Sequence, residues 1–207
     1  MDFESYLEFV KSRRSIRKYT DKKISHTQIE RMIEAACWAP SNHNRQGWKF
    51  IVFENREEIQ KLAERVRQSV KESLSTVKRS VISQADELIY YSGAFDQAPV
   101  VILVMHKKSP AMGKAILKTA TSELASGEAI SAAMACQNLL LGANAMGLGA
   151  CVMTAPLLAG AIWNSLEDLP LGYVPTCLVT VGYPLEIPSA PKRKKFEHVI
   201  EYRCKND

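Results

Sequence analysis

Three arginines and a serine lie close together near the start of the chain, at Arg13, Arg14, Ser15 and Arg17. Guanidinium groups and hydroxyls donate hydrogen bonds in a geometry that suits a phosphate or another anion. Short basic runs are more often solvated surface turns, and taken alone this stretch favours that interpretation. It predicts an anion site only if other parts of the chain supply the rest of a ligand pocket.

A second group of polar side chains follows Pro40, where Ser41, Asn42, Asn44 and Gln46 place a hydroxyl and several amides in one short loop. Amides donate and accept hydrogen bonds, so they suit a ligand with many donors and acceptors. The alternative is an ordinary polar loop whose side chains satisfy its own backbone, and in isolation that is the commoner case. Neither of the two polar stretches by itself establishes a ligand site.

The composition indicates an ordinary globular protein with one domain. The chain has 207 residues, of which 46% are hydrophobic and 24% are charged, and this length can bury a large core. The net charge of +5 favours anionic ligands only weakly, and no aromatic residues interleave with the basic face of segment 57–88, so we expect no nucleic-acid partner. Asp2 and Glu4 lie where a signal peptide would carry positive charge, which predicts a cytoplasmic protein.

Neither a membrane span nor a metal site is predicted. The most apolar segment, residues 130–153, contains Gln137, Asn138 and Asn144, which argues against a membrane-spanning helix. The five cysteines are scattered, which is typical of reduced thiols in a cytosol. His106 has no second ligand at metal-binding spacing, so we expect it at the end of a strand.

The spacing of apolar residues predicts helices alternating with strands. The clearest local signal is a capping box of Ser25 and Gln28, with Ile24 placed to pack on Ile29. Residues 128–146 are apolar on nearly all sides, so we expect a central helix in the core or in a subunit interface. The other predictions are a helix at 3–11, one or two amphipathic helices at 57–88, a buried strand at 49–53, strands at 100–105, 150–153 and 176–181, a helix opened by Pro156, a lid-like insertion at about 107–127 and an extended tail at about 184–207.

Five motifs, in order and over nearly the whole chain, resemble the FMN-dependent nitroreductase family. They are residues 13–17, residues 40–48, residues 137–141 leading to 147–149, residues 182–184, and Arg193 before 196–199. The chain departs from the family pattern in two places. Gly47 stands where the family usually has proline, and no polar pair is found around Tyr91 and Ala94, where some members contact the flavin.

The resemblance implies an α+β fold of three layers, with helices on both faces of a mixed, mostly antiparallel sheet. It also implies an intertwined homodimer with FMN at each subunit interface. On this resemblance Arg13, Ser15 and Arg193 hold the FMN phosphate with Arg14 beside them, and Arg17 faces the pyrimidine edge of the flavin.

The same resemblance assigns the second polar stretch and one further turn to the flavin ring. Ser41, Asn42 and Asn44 would reach the flavin from the partner subunit, and Pro40 and Gln46 belong to the same cofactor site. Backbone amides near Thr154 and Ala155 would address flavin N5.

The implied function is an FMN-dependent oxidoreductase that works in two half-reactions. NADH or NADPH reduces the flavin, and an electron-poor small molecule such as a nitroaromatic or a quinone reoxidises it. The cofactor carries the redox chemistry, so no catalytic side chain is expected. Two alternatives stay open: another flavin reaction on this fold, such as reductive dehalogenation or flavin destruction, and a flavin-binding or storage protein without significant turnover.

Overall fold

The computed structural model describes residues 2–75, 85–108, 127–166 and 169–203. Most of the predicted insertion at 107–127 and the middle of the predicted helical segment 57–88 therefore lie outside the described residues. The elements in chain order are α1 (Phe3–Ser12), α2 (His26–Cys37), β1 (Trp48–Phe53), α3 (Arg56–Ser75), α4 (Ala85–Gly93), β2 (Val100–Lys107), α5 (Gly127–Ala145), β3 (Gly149–Met153), α6 (Gly160–Ser165) and β4 (Tyr173–Gly182), with short 3-10 turns at Asn42–Asn44, Ala155–Leu158 and Phe196–His198.

Helices cover both faces of one sheet, which confirms the predicted three-layer α+β fold. Among the described residues the strands lie in the order β1-β2-β4-β3, with every neighbouring pair antiparallel. Successive side chains of a strand point to opposite faces. Val104 packs with Met32 and Leu139 under α2 and α5, whereas Leu103 packs with Trp163 on the side of α3, α4 and α6.

The start of α2 forms as its local sequence predicts. The Ser25 hydroxyl accepts a hydrogen bond from the Gln28 amide at 3.2 Å, and the Gln28 side chain accepts one from the Ser25 amide at 3.1 Å. This reciprocal pair satisfies two backbone donors that the first turn of a helix leaves free. Ile24 and Ile29 are both buried, so the predicted contact faces the core.

Two strand predictions needed correction. β1 was expected to be buried, but it is the edge strand of the described sheet, and apart from Trp48 its side chains are half-buried or exposed. β4 begins at Tyr173 rather than at 176, because a bulge beside Thr176 lets the strand continue past Pro175. Proline cannot donate to a ladder and is tolerated in strands at such irregularities.

The central helix α5 is buried on one side and open on another. Leu139 and Ala143 are fully buried, whereas Ile130 is 56% exposed and Ala133 is also exposed. Met134 and Leu141 complete the same stripe and are half-buried. Within one chain the prediction of a core helix is therefore confirmed for one face, and a second apolar face is left without a covering element among the described residues.

The tail leaves the body of the chain soon after β4. It first pairs with the basic stretch, where the Leu185 amide donates to the Lys18 carbonyl at 3.0 Å and Glu186 lies 3.0 Å from the Lys18 ammonium. Beyond this point its side chains are exposed, including Phe196 at 79% and Tyr202 at 82%. None of the helices in the described ranges is both long and apolar enough to cross a membrane.

Candidate functional site

The basic stretch is an extended segment that pairs with β3. After α1 ends, the Ile16 amide donates to the Ala150 carbonyl at 3.1 Å, and Ser15 forms a parallel bridge with Ala150. This bridge is the single parallel pairing within the described ranges. Ile16 is buried, so an extended backbone directs Arg13, Ser15 and Arg17 to the opposite side.

The thiol of Cys151 in β3 shows that these three side chains lie together. Burial raises the pKa of Cys151, while the Arg17 charge, a hydrogen bond from the Ser15 hydroxyl and the Arg13 charge lower it. Ser15 is therefore in hydrogen-bond contact with the thiol, and both guanidinium groups are close enough for their charges to act on it. That the three side chains hold one ligand stays a prediction.

Arg13 and Arg17 are available to a ligand. Neither guanidinium forms a hydrogen bond or an ion pair with any residue that the structure describes, although Arg13 is half-buried. Arg14 differs, because it donates to the carbonyls of Lys11 and Arg13, the latter at 3.0 Å. A half-buried cation without a partner fits an anionic group, whereas Arg14 mainly satisfies carbonyls at the end of α1.

A cavity of about 730 Å³ adjoins Arg17. At its wall the Tyr19 hydroxyl donates to the Ile16 carbonyl at 2.6 Å and lies within hydrogen-bond distance of the Thr180 hydroxyl, at 2.7 Å. Burial raises the pKa of Tyr19, so this phenol stays neutral. Sequence reasoning missed Tyr19 and Thr180, which lie far apart in the chain. The cavity lining includes Arg17, Tyr19, Tyr91, Ala94, Met153 and Thr180.

The loop after Pro40 is held against the N-terminal end of α5. The Asn42 amide donates to the Ser131 hydroxyl at 3.0 Å. His43, Asn44 and Gln46 adopt positive φ values of 50°, 52° and 48°, which few residues other than glycine adopt without cost. Hydrogen bonds within the loop support this shape, since the Gln46 amide donates to the Ser41 hydroxyl and its side chain donates to that of Asn44.

One chain does not bring the two polar stretches together. The loop contacts α5 at Ser131, whereas Ser12, the last residue of α1 and directly before the basic stretch, contacts its other end, where Asn144 donates to the Ser12 hydroxyl at 2.9 Å. Thirteen residue steps separate these contacts, which corresponds to roughly 20 Å along the helix axis. The two stretches are therefore anchored at opposite ends of α5.

The remaining predicted site residues lie in two different settings. Thr154 and Ala155 directly follow β3, and Ala155 begins a 3-10 turn, so its amide has no acceptor inside that turn. Met153 beside them lines the cavity at Arg17. Arg193 lies in the exposed tail and makes no hydrogen bond or ion pair with the described part of the chain.

No cluster of metal-ligating side chains occurs within the described ranges. His106 lies in β2, and its Nδ1 is 2.8 Å from the Thr176 hydroxyl. Burial lowers the pKa of His106, with Glu128 acting in the opposite direction. The prediction that His106 lies at the end of a strand is confirmed.

Several relatives match most of the chain. A protein of Methanothermobacter thermautotrophicus named "Putative NADH dehydrogenase/NAD(P)H nitroreductase" is 28% identical over 195 residues, which cover 88% of this chain and 78% of that protein. Iodotyrosine deiodinase 1 of Mus musculus is 27% identical over 209 residues, which cover 97% of this chain and 70% of that protein.

Solved structures share the fold. A BluB-like flavoprotein from Clostridium difficile 630 superposes with a TM-score of 0.82 at 24% identity, covering 99% of this chain and 100% of that one. A nitroreductase with bound FMN from Desulfitobacterium hafniense DCB-2 gives a TM-score of 0.71 at 22% identity, covering 98% and 100%. The model of the Nitroreductase family matches residues 10–183, and with the fold and the placement of Arg13, Ser15 and Arg17 this establishes that the chain belongs to that family.

Proposed function

We propose that the chain is an FMN-dependent oxidoreductase, in which NADH or NADPH reduces the flavin and an electron-poor small molecule such as a nitroaromatic or a quinone reoxidises it. The observation that carries this proposal is the group of Arg13, Ser15 and Arg17 around Cys151, of which Arg17 borders a cavity of about 730 Å³. The family match supports it, as do a relative named for NAD(P)H and a solved structure with bound FMN.

The residues present fit this cofactor. Arg13 is a half-buried cation without a partner in the described part of the chain, and with the Ser15 hydroxyl it would hold the phosphate. Arg17 borders the cavity and would lie at the pyrimidine edge, where a fixed positive charge favours the form of the ring that carries more negative charge. Bound FMN would supply the chemistry of accepting and returning a hydride.

We further propose that a homodimer completes the site. The loop at 41–46 and the basic stretch lie at opposite ends of α5 in one chain, so the loop of one subunit would meet the basic stretch of the other. The open apolar stripe of α5 and the exposed apolar side chains of the tail supply surface for this association. Arg193, carried by that tail, would then reach a phosphate.

The absorption spectrum of the purified protein and an assay of NAD(P)H oxidation with an added quinone test this proposal. We expect flavin bands, release of FMN on denaturation, and quinone-dependent oxidation of NADH or NADPH. Failure of the apoprotein to bind FMN in a fluorescence titration would overturn it. Bound FMN without measurable turnover would instead support a flavin-storing protein.

Reductive dehalogenation is a second candidate, because iodotyrosine deiodinase 1 matches 97% of this chain. In that reaction a carbon–halogen bond is replaced by a carbon–hydrogen bond, two electrons and a proton are consumed, and halide is released. Halide release from an iodinated phenol under reducing conditions, measured beside nitroaromatic reduction, separates the two reactions. Faster dehalogenation would favour the second candidate.

A further inference from the structure

A buried carboxylate lies at the N-terminal end of α5, outside the group of residues assigned to the flavin. Glu128 is 4% exposed, and its Oε2 atom has no hydrogen-bond partner among the described residues. Its Oε1 atom lies 3.3 Å from Nη1 of Arg45. A buried carboxylate oxygen without a hydrogen bond destabilises the folded state, so the presence of Glu128 at this position calls for an explanation.

The free oxygen points at the backbone of Gly47. A Cβ atom on Gly47 would lie 2.6 Å from Oε2 of Glu128, which is closer than such atoms approach in folded proteins. The backbone of Gly47 does not have a positive φ, so its conformation does not itself require glycine. A side chain at residue 47 would therefore have to displace the carboxylate end of Glu128.

Glu128 acts together with Ser131, which lies three residues further along α5 on the same face. Ser131 accepts a hydrogen bond from the Asn42 amide and donates to the Gly127 carbonyl at 2.6 Å. Glu128 holds a second point of the loop through its ion pair with Arg45. The loop is thus fixed to α5 at Asn42 and at Arg45, which flank His43 and Asn44, and residues with positive φ remain in that conformation only when their surroundings hold them.

We propose that Glu128 is a positioning residue that fixes the 41–47 loop against α5, so that the side chains of Ser41, Asn42 and Asn44 are presented to a flavin in the partner subunit. The flavin part of this inference rests on the proposed function. The holding of the loop rests on the ion pair of Glu128 with Arg45 and on the position of the carboxylate, which fills the space where a side chain of residue 47 would lie.

A coupling experiment tests the contact between Glu128 and Gly47. FMN affinity is measured by fluorescence titration of four apoproteins: wild type, Gly47→Ala, Glu128→Ala and the double variant. Because overpacking forces neighbouring atoms to move, Gly47→Ala should weaken FMN binding about tenfold in the wild-type background. In the Glu128→Ala background the same change should have almost no effect, since the obstructing carboxylate is gone. Equal effects in both backgrounds would overturn the inference.

Glu128→Gln separates positioning from general stability, because it keeps the shape of the side chain and removes its charge. We expect faster amide hydrogen exchange in segment 41–47 of the apoprotein, about fivefold weaker FMN binding and a changed absorption spectrum of the bound flavin. A purely structural role would lower thermal stability and leave that spectrum unchanged. The matched control is Glu34→Gln, which removes an exposed ion pair with Arg31 and should change none of these quantities.

The outcomes distinguish this inference from the proposed function. If the wild type binds FMN and Glu128→Gln changes neither the exchange nor the affinity, the inference is overturned and the proposed function stands. Faster exchange with unchanged affinity would overturn the flavin role of Glu128. If the wild type does not bind FMN, the proposed function fails and the flavin role fails with it, while the exchange data still decide whether Glu128 holds the loop.

Discussion

The basic stretch at 13–17 and the loop at 41–47 both adjoin α5, but they are built in opposite ways. In the basic stretch the backbone is regular and pairs with β3, while Arg13 and Arg17 keep their charges without partners in the described part of the chain. In the loop the backbone is irregular and the polar groups are largely satisfied by one another and by α5. Arginines without partners can bind an anion. A loop whose polar groups are already hydrogen-bonded offers a fixed surface to a planar ring.

In the proposed dimer, the separation of the two stretches would place the two halves of one site in different subunits. Each stretch is anchored at its own end of α5, and the helix keeps them roughly 20 Å apart. A two-fold axis places the same surface of both copies in contact, so it can bring each loop to the basic stretch of the other copy. Deletions and substitutions confined to one region at a time test this difference.

The largest effect is expected from removing residues 188–207, which carry the exposed side chains of Phe196 and Tyr202. Burying one large apolar side chain contributes about 1.5–3 kcal/mol, so losing several should weaken dimerisation by more than about a thousandfold. The shortened chain keeps Leu185 and its bond to Lys18. Sedimentation velocity and flavin content measure the result, and a flavin-loaded monomer would contradict the proposed dimer site.

Arg13→Ala should weaken FMN binding by about 1.5–3 kcal/mol, because it removes a charge-assisted contact to the phosphate. Fluorescence titration of the apoprotein measures the dissociation constant. The control is Arg31→Ala, whose guanidinium pairs with Glu34 on the surface of α2 at 2.6 Å. Equal FMN affinity in the Arg13 variant and the wild type would exclude Arg13 from the phosphate site.

Gly149→Ala should displace the basic stretch from β3 without changing any charge. The added Cβ would lie 2.6 Å from the Cβ of Ile16, and overpacking of this kind costs about 1–3 kcal/mol. We expect lower thermal stability together with weaker FMN binding. Gly160→Ala is the control, because nothing lies within 4 Å of its added carbon. A loss of thermal stability with unchanged FMN affinity would show that the basic stretch is not part of the FMN site.

Arg17→Gln is expected to have the smallest effect, because it removes a charge from the edge of the ring and leaves Arg13 in place. A loss of about 1.4 kcal/mol of charge stabilisation lowers the midpoint potential of a two-electron couple by about 30 mV. Potentiometric titration of the fully loaded variant measures this shift. Lys61→Gln, whose ammonium lies 4.0 Å from Glu57 on the exposed side of α3, should leave the potential unchanged. Weaker FMN binding at an unaltered midpoint potential would instead assign Arg17 to the FMN phosphate.

Features that depend on neighbouring residues were predictable from the sequence. The capping box of Ser25 and Gln28 needs only four positions of sequence, and it forms as expected. The alternation of Arg13, Ser15 and Arg17 was not predictable in this way, because their extended backbone depends on pairing with Ala150. The bulge beside Thr176 was not predictable, because it depends on how β4 pairs with β2.

Contacts between residues that lie far apart in the chain were also not predictable from the sequence. Nothing local to Gly47 shows that its missing side chain makes room for Glu128, and nothing local to Tyr19 shows its contact with Thr180. The one available signal was that Gly47 departs from the usual proline of the family. The assignment of the site residues to FMN remains a prediction, since the structure places the side chains and the resemblance supplies their roles.

The separation of the two stretches along α5 also has a genetic consequence. A chain damaged at Arg13 and a chain damaged at Asn42 would each form homodimers with two defective sites. A mixed dimer would combine both defects in one site and leave its other site entirely wild type. Random pairing of equal amounts would make about a quarter of all sites intact, so two inactive alleles expressed together should restore activity by complementation.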